Sequence, residues 1–123
     1  MAQTLDQKRA GFAWKTAQNG VNRFPKEYKP LVKGAPALIM NSGLMSTLAF
    51  YADKSEASKM LRDDITAWFN ERFRDRREYQ PNPTRFPDVM AKLHGGSSAF
   101  YVEATDEALE ILKWIRQFVD AVE

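Results

Sequence analysis

The chain contains a single histidine, so any imidazole general base or histidine-centred metal site would have to form around His94. His94-Gly95-Gly96-Ser97-Ser98 bears a superficial likeness to a backbone oxyanion loop, yet no strand-to-turn nucleophile elbow occurs anywhere. The stretch is better read as a helix end closed by glycine, with His94 in the last turn facing the helix dipole. Carboxylates recur at helical spacing: Glu103, Asp106, Glu107 and Glu110 in one run, Asp64, Glu71 and Asp75 in another. Paired acids could hold a divalent metal for phosphodiester chemistry. Acids in a first helical turn also stabilise the dipole, however, and acids beside Lys113, Arg116, Arg72 and Arg76 form ordinary surface pairs. No recognised ligand spacing, phosphate loop or dinucleotide glycine pattern ties them together, and with no cysteine there is neither thiolate catalysis nor a disulfide. The expectation is a protein that binds rather than catalyses, with no catalytic residue, no metal, no cofactor and no small-molecule substrate.

Basic residues offer more. Residues 1–52 carry seven Lys or Arg against two acids, a balance of +5, whereas residues 53–123 carry eleven against fourteen, a balance of −3; together these give the formal net charge of +2. Arg23, Lys26, Lys29 and Lys33 form one group, the last three at i, i+3 and i+7 spacing on one helical face, and Lys8, Arg9 and Lys15 are candidates to extend it. Such a face can track a phosphate backbone without reading sequence. A second group, Arg72, Arg74, Arg76, Arg77 and Arg85, is interleaved with Glu71, Asp75 and Glu78 and reads as a self-neutralising surface. Trp14, Trp68 and Trp114 lie on or beside apolar stripes and are assigned to the core.

The elements that must position these residues are helices, because long windows follow the 3.6-residue period and almost none alternate. Ala10, Ala13, Trp14, Ala17 and Val21 define a first helix from Thr4 to about Asn22, with Thr4 or Asp6 as cap. A kinked helix follows from about Lys26 to Met40, bent or interrupted at Gly34-Ala35-Pro36, and Asn41-Ser42-Gly43 is a turn before a short helix bearing Leu44, Leu48, Tyr51 and Ala52. Asp53 with Glu56 has capping-box spacing for a long helix from about Ser55 to Glu78. Pro81, Pro83 and Pro87 make a connector, Asp88–Leu93 a short helical turn, and Thr105 opens a final helix with the stripe Ala108, Ile111, Leu112, Ile115, Phe118, Val119 and Val122. Phe100 and Tyr101 belong to a preceding turn packed on the same core. The fold class is therefore all-α: one compact helical bundle of about five to six helices, a single domain over residues 1–123.

A hydrophobic content of 44% and a charged content of 28% suit such a domain and exclude a disordered chain. No run approaches the ~18 apolar residues of a membrane span, and the N-terminal stretch lacks the apolar core of a secretory signal. A cytoplasmic location away from membranes is expected.

One segment is more specific than composition. Lys33-Gly34-Ala35-Pro36-Ala37-Leu38-Ile39-Met40-Asn41-Ser42-Gly43-Leu44-Met45-Ser46-Thr47-Leu48-Ala49-Phe50 resembles the hallmark segment of the small α-helical subunit of type III-B CRISPR effector complexes, the Cmr complex. Tyr101, Ala104-Thr105, Glu107-Ala108-Leu109 and Leu112-x-Trp114-Ile115 are similar to that family's last helix; the connector over 79–97 matches least. The resemblance implies a non-catalytic subunit that stacks in more than one copy along guide RNA and target RNA, beside other Cmr subunits, in antiviral defence. Chemically distinct alternatives are a helix-turn-helix regulator, which needs a base-reading helix, and a metal-dependent nuclease, which needs the acids above to converge.

Overall fold

Thr4 opens the first helix with a reciprocal cap: its Oγ1 accepts the Gln7 N–H at 3.1 Å, and Gln7 Oε1 accepts the Thr4 N–H at 2.8 Å. In the computed structural model, which describes residues 2–122, α1 then runs Leu5–Arg23, α2 Tyr28–Ser42, α3 Leu44–Lys54, α4 Glu56–Arg72, α5 Phe86–Gly95 and α6 Ser98–Val119. A single 3-10 turn, Arg77–Tyr79, interrupts the α4–α5 connection, and no strand occurs among the described residues.

The long α6 is the central element, packing against α1, α2, α4 and α5, while α3 covers α2, α4 and α5. Its stripe of Phe100, Ala104, Ala108, Ile111, Leu112, Ile115 and Val119 is buried. Leu61, Ile65, Trp68 and Phe69 from α4 meet it, as do Val32, Ala35 and Ile39 from α2. α1 contributes mostly small residues, Ala13, Ala17 and Gly20, and so lies close to its neighbours. Gly20 is required there, since a Cβ would fall 2.4 Å from the Tyr28 ring.

Three local expectations are corrected, and a fourth is narrowed. Of the bend or interruption expected at Pro36 the interruption does not occur: α2 is one helix through the proline, with buried Val32, Ala35 and Ile39 anchoring both sides of it. The cap of α4 is Ser55, paired reciprocally with Ser58 rather than Asp53 with Glu56; the Ser58 hydroxyl also donates to the Tyr51 carbonyl. Nor does α4 reach Glu78. It stops at Arg72, where Phe73 turns inward and its ring meets Tyr79 at 5.8 Å and Phe100 at 5.1 Å. Finally, α6 begins at Ser98 under the Ser97 cap, which absorbs Phe100 and Tyr101 into the helix and leaves Thr105 inside it, donating to the Tyr101 carbonyl. The Asn41-Ser42-Gly43 turn stands as expected: Gly43 has φ +88°, its N–H closes α2 on Ile39, and its carbonyl accepts the Thr47 hydroxyl.

Candidate nucleic-acid interface

Arg9 is partly buried against the bundle, unlike exposed Lys8 and Lys15. Its Nε and Nη2 donate to the two Glu107 carboxylate oxygens at 2.8 and 2.9 Å, a bidentate pair, while Nη1 reaches Asp6 at 2.9 Å. Glu107, on α6 with only 5% of its side chain exposed, also accepts from Trp68 Nε1 at 2.9 Å and from Arg72 Nε at 3.3 Å. Burial alone would raise this carboxyl. The hydrogen bonds from Arg9 and Trp68, with the charges of Arg9 and Arg72, outweigh burial and hold it below the usual carboxylate range. Glu107 thus ties α1, α4 and α6 together. Arg76 extends the chain of charges by donating to Glu103 and Glu78.

The remaining candidates divide into two places. Lys8 and Lys15 line a groove of about 490 Å³ along α1, with Gln3, Gln7, Gly11, Phe12, Thr16 and Asn19, and with Glu71 of α4. Phe12 closes its base by packing on the Trp68 ring at 5.2 Å. Arg23 ends α1, and exposed Lys26 lies in the turn before α2, so it does not share a helical face with Lys29 and Lys33. Lys33 pairs with Asp120 beyond the end of α6 at 3.0 Å. In the second basic group, Arg72 and Arg76 are held by Glu103, Glu107 and Glu78, Arg85 lies 3.8 Å from Asp88, and Arg74 and Arg77 are exposed.

The acids are spent in different ways. Glu103 and Glu107 serve arginines, Asp106 is exposed, and among the described residues no group of three or more His, Asp or Glu is placed to hold a metal ion. Asp64 accepts the Tyr28 hydroxyl at 2.6 Å between α4 and α2; burial, with the charge of Asp63, pushes its carboxyl up to about 7 despite that bond. His94 is exposed in the last turn of α5, where the Gly96 N–H closes on Lys92.

Of the tryptophans only Trp68 is a fully buried core residue. Trp14 is 40% exposed and edge-on to Phe118 at 5.2 Å, because α1 presents alanines, not its indole, to the centre. Met40, Phe50 and Val102 are the other large apolar side chains left in solvent among the described residues, at 75%, 51% and 58%. Met40 and Phe50 flank the α2–α3 turn, which the start of α6 touches where the Met45 N–H donates to the Tyr101 hydroxyl. Trp14 lies against the other end of α6. No helix among the described residues is long and apolar enough to cross a membrane.

Sequence reasoning missed the role of Glu107, because its partners lie 98, 39 and 35 residues away and no local spacing announces them. The α1 groove had a partial signal in Lys8 and Lys15, whose separation returns them to one face. A family model described as CRISPR-associated protein (Cas_Cmr5) matches residues 5–122, from the first residue of α1 to the turn beyond α6. With the hallmark segment forming the α2–α3 turn at the heart of that match, the chain belongs to the Cas_Cmr5 family of CRISPR-associated proteins.

Proposed function

We propose that this protein is the non-catalytic small subunit of a type III-B CRISPR (Cmr) effector ribonucleoprotein, working in the cytoplasm, where copies of it stack beside guide RNA and target RNA in antiviral defence. Family membership over nearly the whole chain is the observation that carries this assignment. Two features support the finer parts of it. Exposed large apolar side chains fall toward opposite ends of α6: Met40 and Phe50 by the turn that meets Tyr101, and Trp14 against Phe118. Tyr101 and Phe118 are seventeen residues apart, about 25 Å of helix. A protein with different apolar surfaces at its two ends suits head-to-tail contacts, which extend as a stack where the rotation between copies does not close a ring. In favour of a non-catalytic role, the most buried carboxylate, Glu107, is consumed by Arg9, Trp68 and Arg72.

Isolation of the Cmr complex through a different tagged subunit tests the assignment. This chain is expected to co-purify in more than one copy together with small guide RNA, and Met40→Glu with Phe50→Glu should reduce its copy number while leaving the helical content of the free chain unchanged. Recovery of the chain alone, without Cmr subunits or RNA, would refute the proposal.

A further inference from the structure

Gly11 lies in the interior of α1, where glycine weakens a helix relative to alanine. Nothing in the fold calls for it: a Cβ built at this position meets no atom within 4 Å. Gly20 is different, being forced by Tyr28; of the other open helical glycines, Gly34 stands two residues before Pro36, where the hydrogen-bond ladder is already perturbed, and Gly95 is the last residue of α5, where glycine suits a helix end. Gly11 therefore costs α1 helical stability without serving the packing, and it does so in the groove that Lys8 and Lys15 line. Those lysines are seven residues apart, about 10.5 Å along the axis, on either side of it. Neither ammonium pairs with a carboxylate, since the lysine ion pairs among the described residues are those of Lys33 and Lys59. A glycine that the chain does not need, set between two unpaired cations, is what close approach by an external polyanionic backbone requires. Glu71 of α4 also lines the groove, likewise without an ion pair among the described residues. A carboxylate repels phosphate, so a strand lying here must turn a sugar edge toward it, and a ribose offers a hydroxyl donor at that point.

Building on the function proposed above, we infer that the α1 groove seats a single-stranded RNA backbone. Lys8 and Lys15 take phosphates, Gly11 lets the sugar–phosphate chain come against the helix, and Glu71 accepts a hydrogen bond from a 2′-hydroxyl. Arg23, Lys26 and Lys29 lie outside this seat.

Photo-crosslinking of a 4-thiouridine-substituted RNA within the reconstituted complex, mapped on this chain, is the test. Cross-links are expected in the peptide spanning residues 3–19, and their yield should fall severalfold in Gly11→Gln and in Lys8→Glu with Lys15→Glu. Gly11→Ala separates a ligand role from a scaffold role: the melting midpoint of the free chain should rise while cross-linking falls, whereas a residue serving the fold would move both the same way. With Glu71→Gln, the preference for an oligouridylate over the matching oligodeoxyuridylate should narrow. Cross-links confined to other segments, or a Gly11→Gln yield equal to that of the parent, overturn the groove while leaving the subunit assignment standing. A chain that never enters the complex overturns the assignment itself.

Discussion

Single residues carry large shares of this fold where they are buried and charged. Removing Glu107 leaves the Arg9 and Arg72 guanidiniums and the Trp68 N–H facing one another without their acceptor. Loss of one partner from a buried pair costs about 3–5 kcal/mol. Glu107→Ala should therefore lower the urea midpoint strongly with little change in the slope of the transition. Asp64 works in the opposite sense. Its carboxyl, pushed up to about 7 by burial and Asp63, holds its proton more tightly in the folded chain than in the unfolded one, where it titrates near 3.9. That contribution to stability is fully present below about pH 4 and is lost as pH rises toward 7. Glu107, held below its usual range, contributes above its unfolded pKa and loses that contribution as pH falls through the lower folded value. Thermal melts between pH 5 and 8 should thus show stability falling with pH in the parent and a flatter profile in Asp64→Asn; an Asp64→Asn profile as steep as the parent's would locate the titrating group elsewhere.

At the scale of elements, the α2–α3 turn is the best example of a feature legible in advance. Asn41-Ser42-Gly43 between two apolar runs has the chemistry of a turn, and Gly43 at φ +88° occupies a region that side chains resist. Gly43→Val should cost at least ~1 kcal/mol in denaturant melts, with Gly43→Ala also destabilising, because the strain is in the backbone and the nearest atom to a new Cβ, the Tyr101 hydroxyl, is 3.6 Å away. Stabilisation by alanine would place this residue in ordinary helix. The start of α6 was less legible. Ser97 is a good cap, but it follows Gly95-Gly96, and the acids after Thr105 imitate a helix start that the chain had already made. The end of α4 was obscured by Arg72 to Glu78, all acceptable in a helix; what stops it is the meeting of Phe73 with Tyr79 and Phe100, a tertiary event. In the same way, Lys8 and Lys15 could be picked out as cations in the sequence, whereas the removal of Arg9 from that surface depended on a carboxylate 98 residues away.

For the whole molecule, the order of the helices along the chain differs from their order in space. α1 finds its main neighbour in α6, through Arg9 with Glu107 and Trp14 with Phe118. Since α1 is made well before α6, it must consequently wait for that partner. At about 5–20 residues per second, the 98 residues separating Arg9 from Glu107 take roughly 5–20 s to make, and α1 spends that interval without its partner, its alanine-lined face uncovered. Nascent chains arrested before Ser98 should be cut readily by protease within α1, and chains extended beyond Val119, with enough linker to clear the ribosome, should become resistant in a single step. Protection of α1 in the shorter chains would mean that α2–α5 can hold it unaided. Closure by α6 makes formation of this bundle an all-or-none affair, in which a product truncated before α6 presents an open bundle to the cell's proteases.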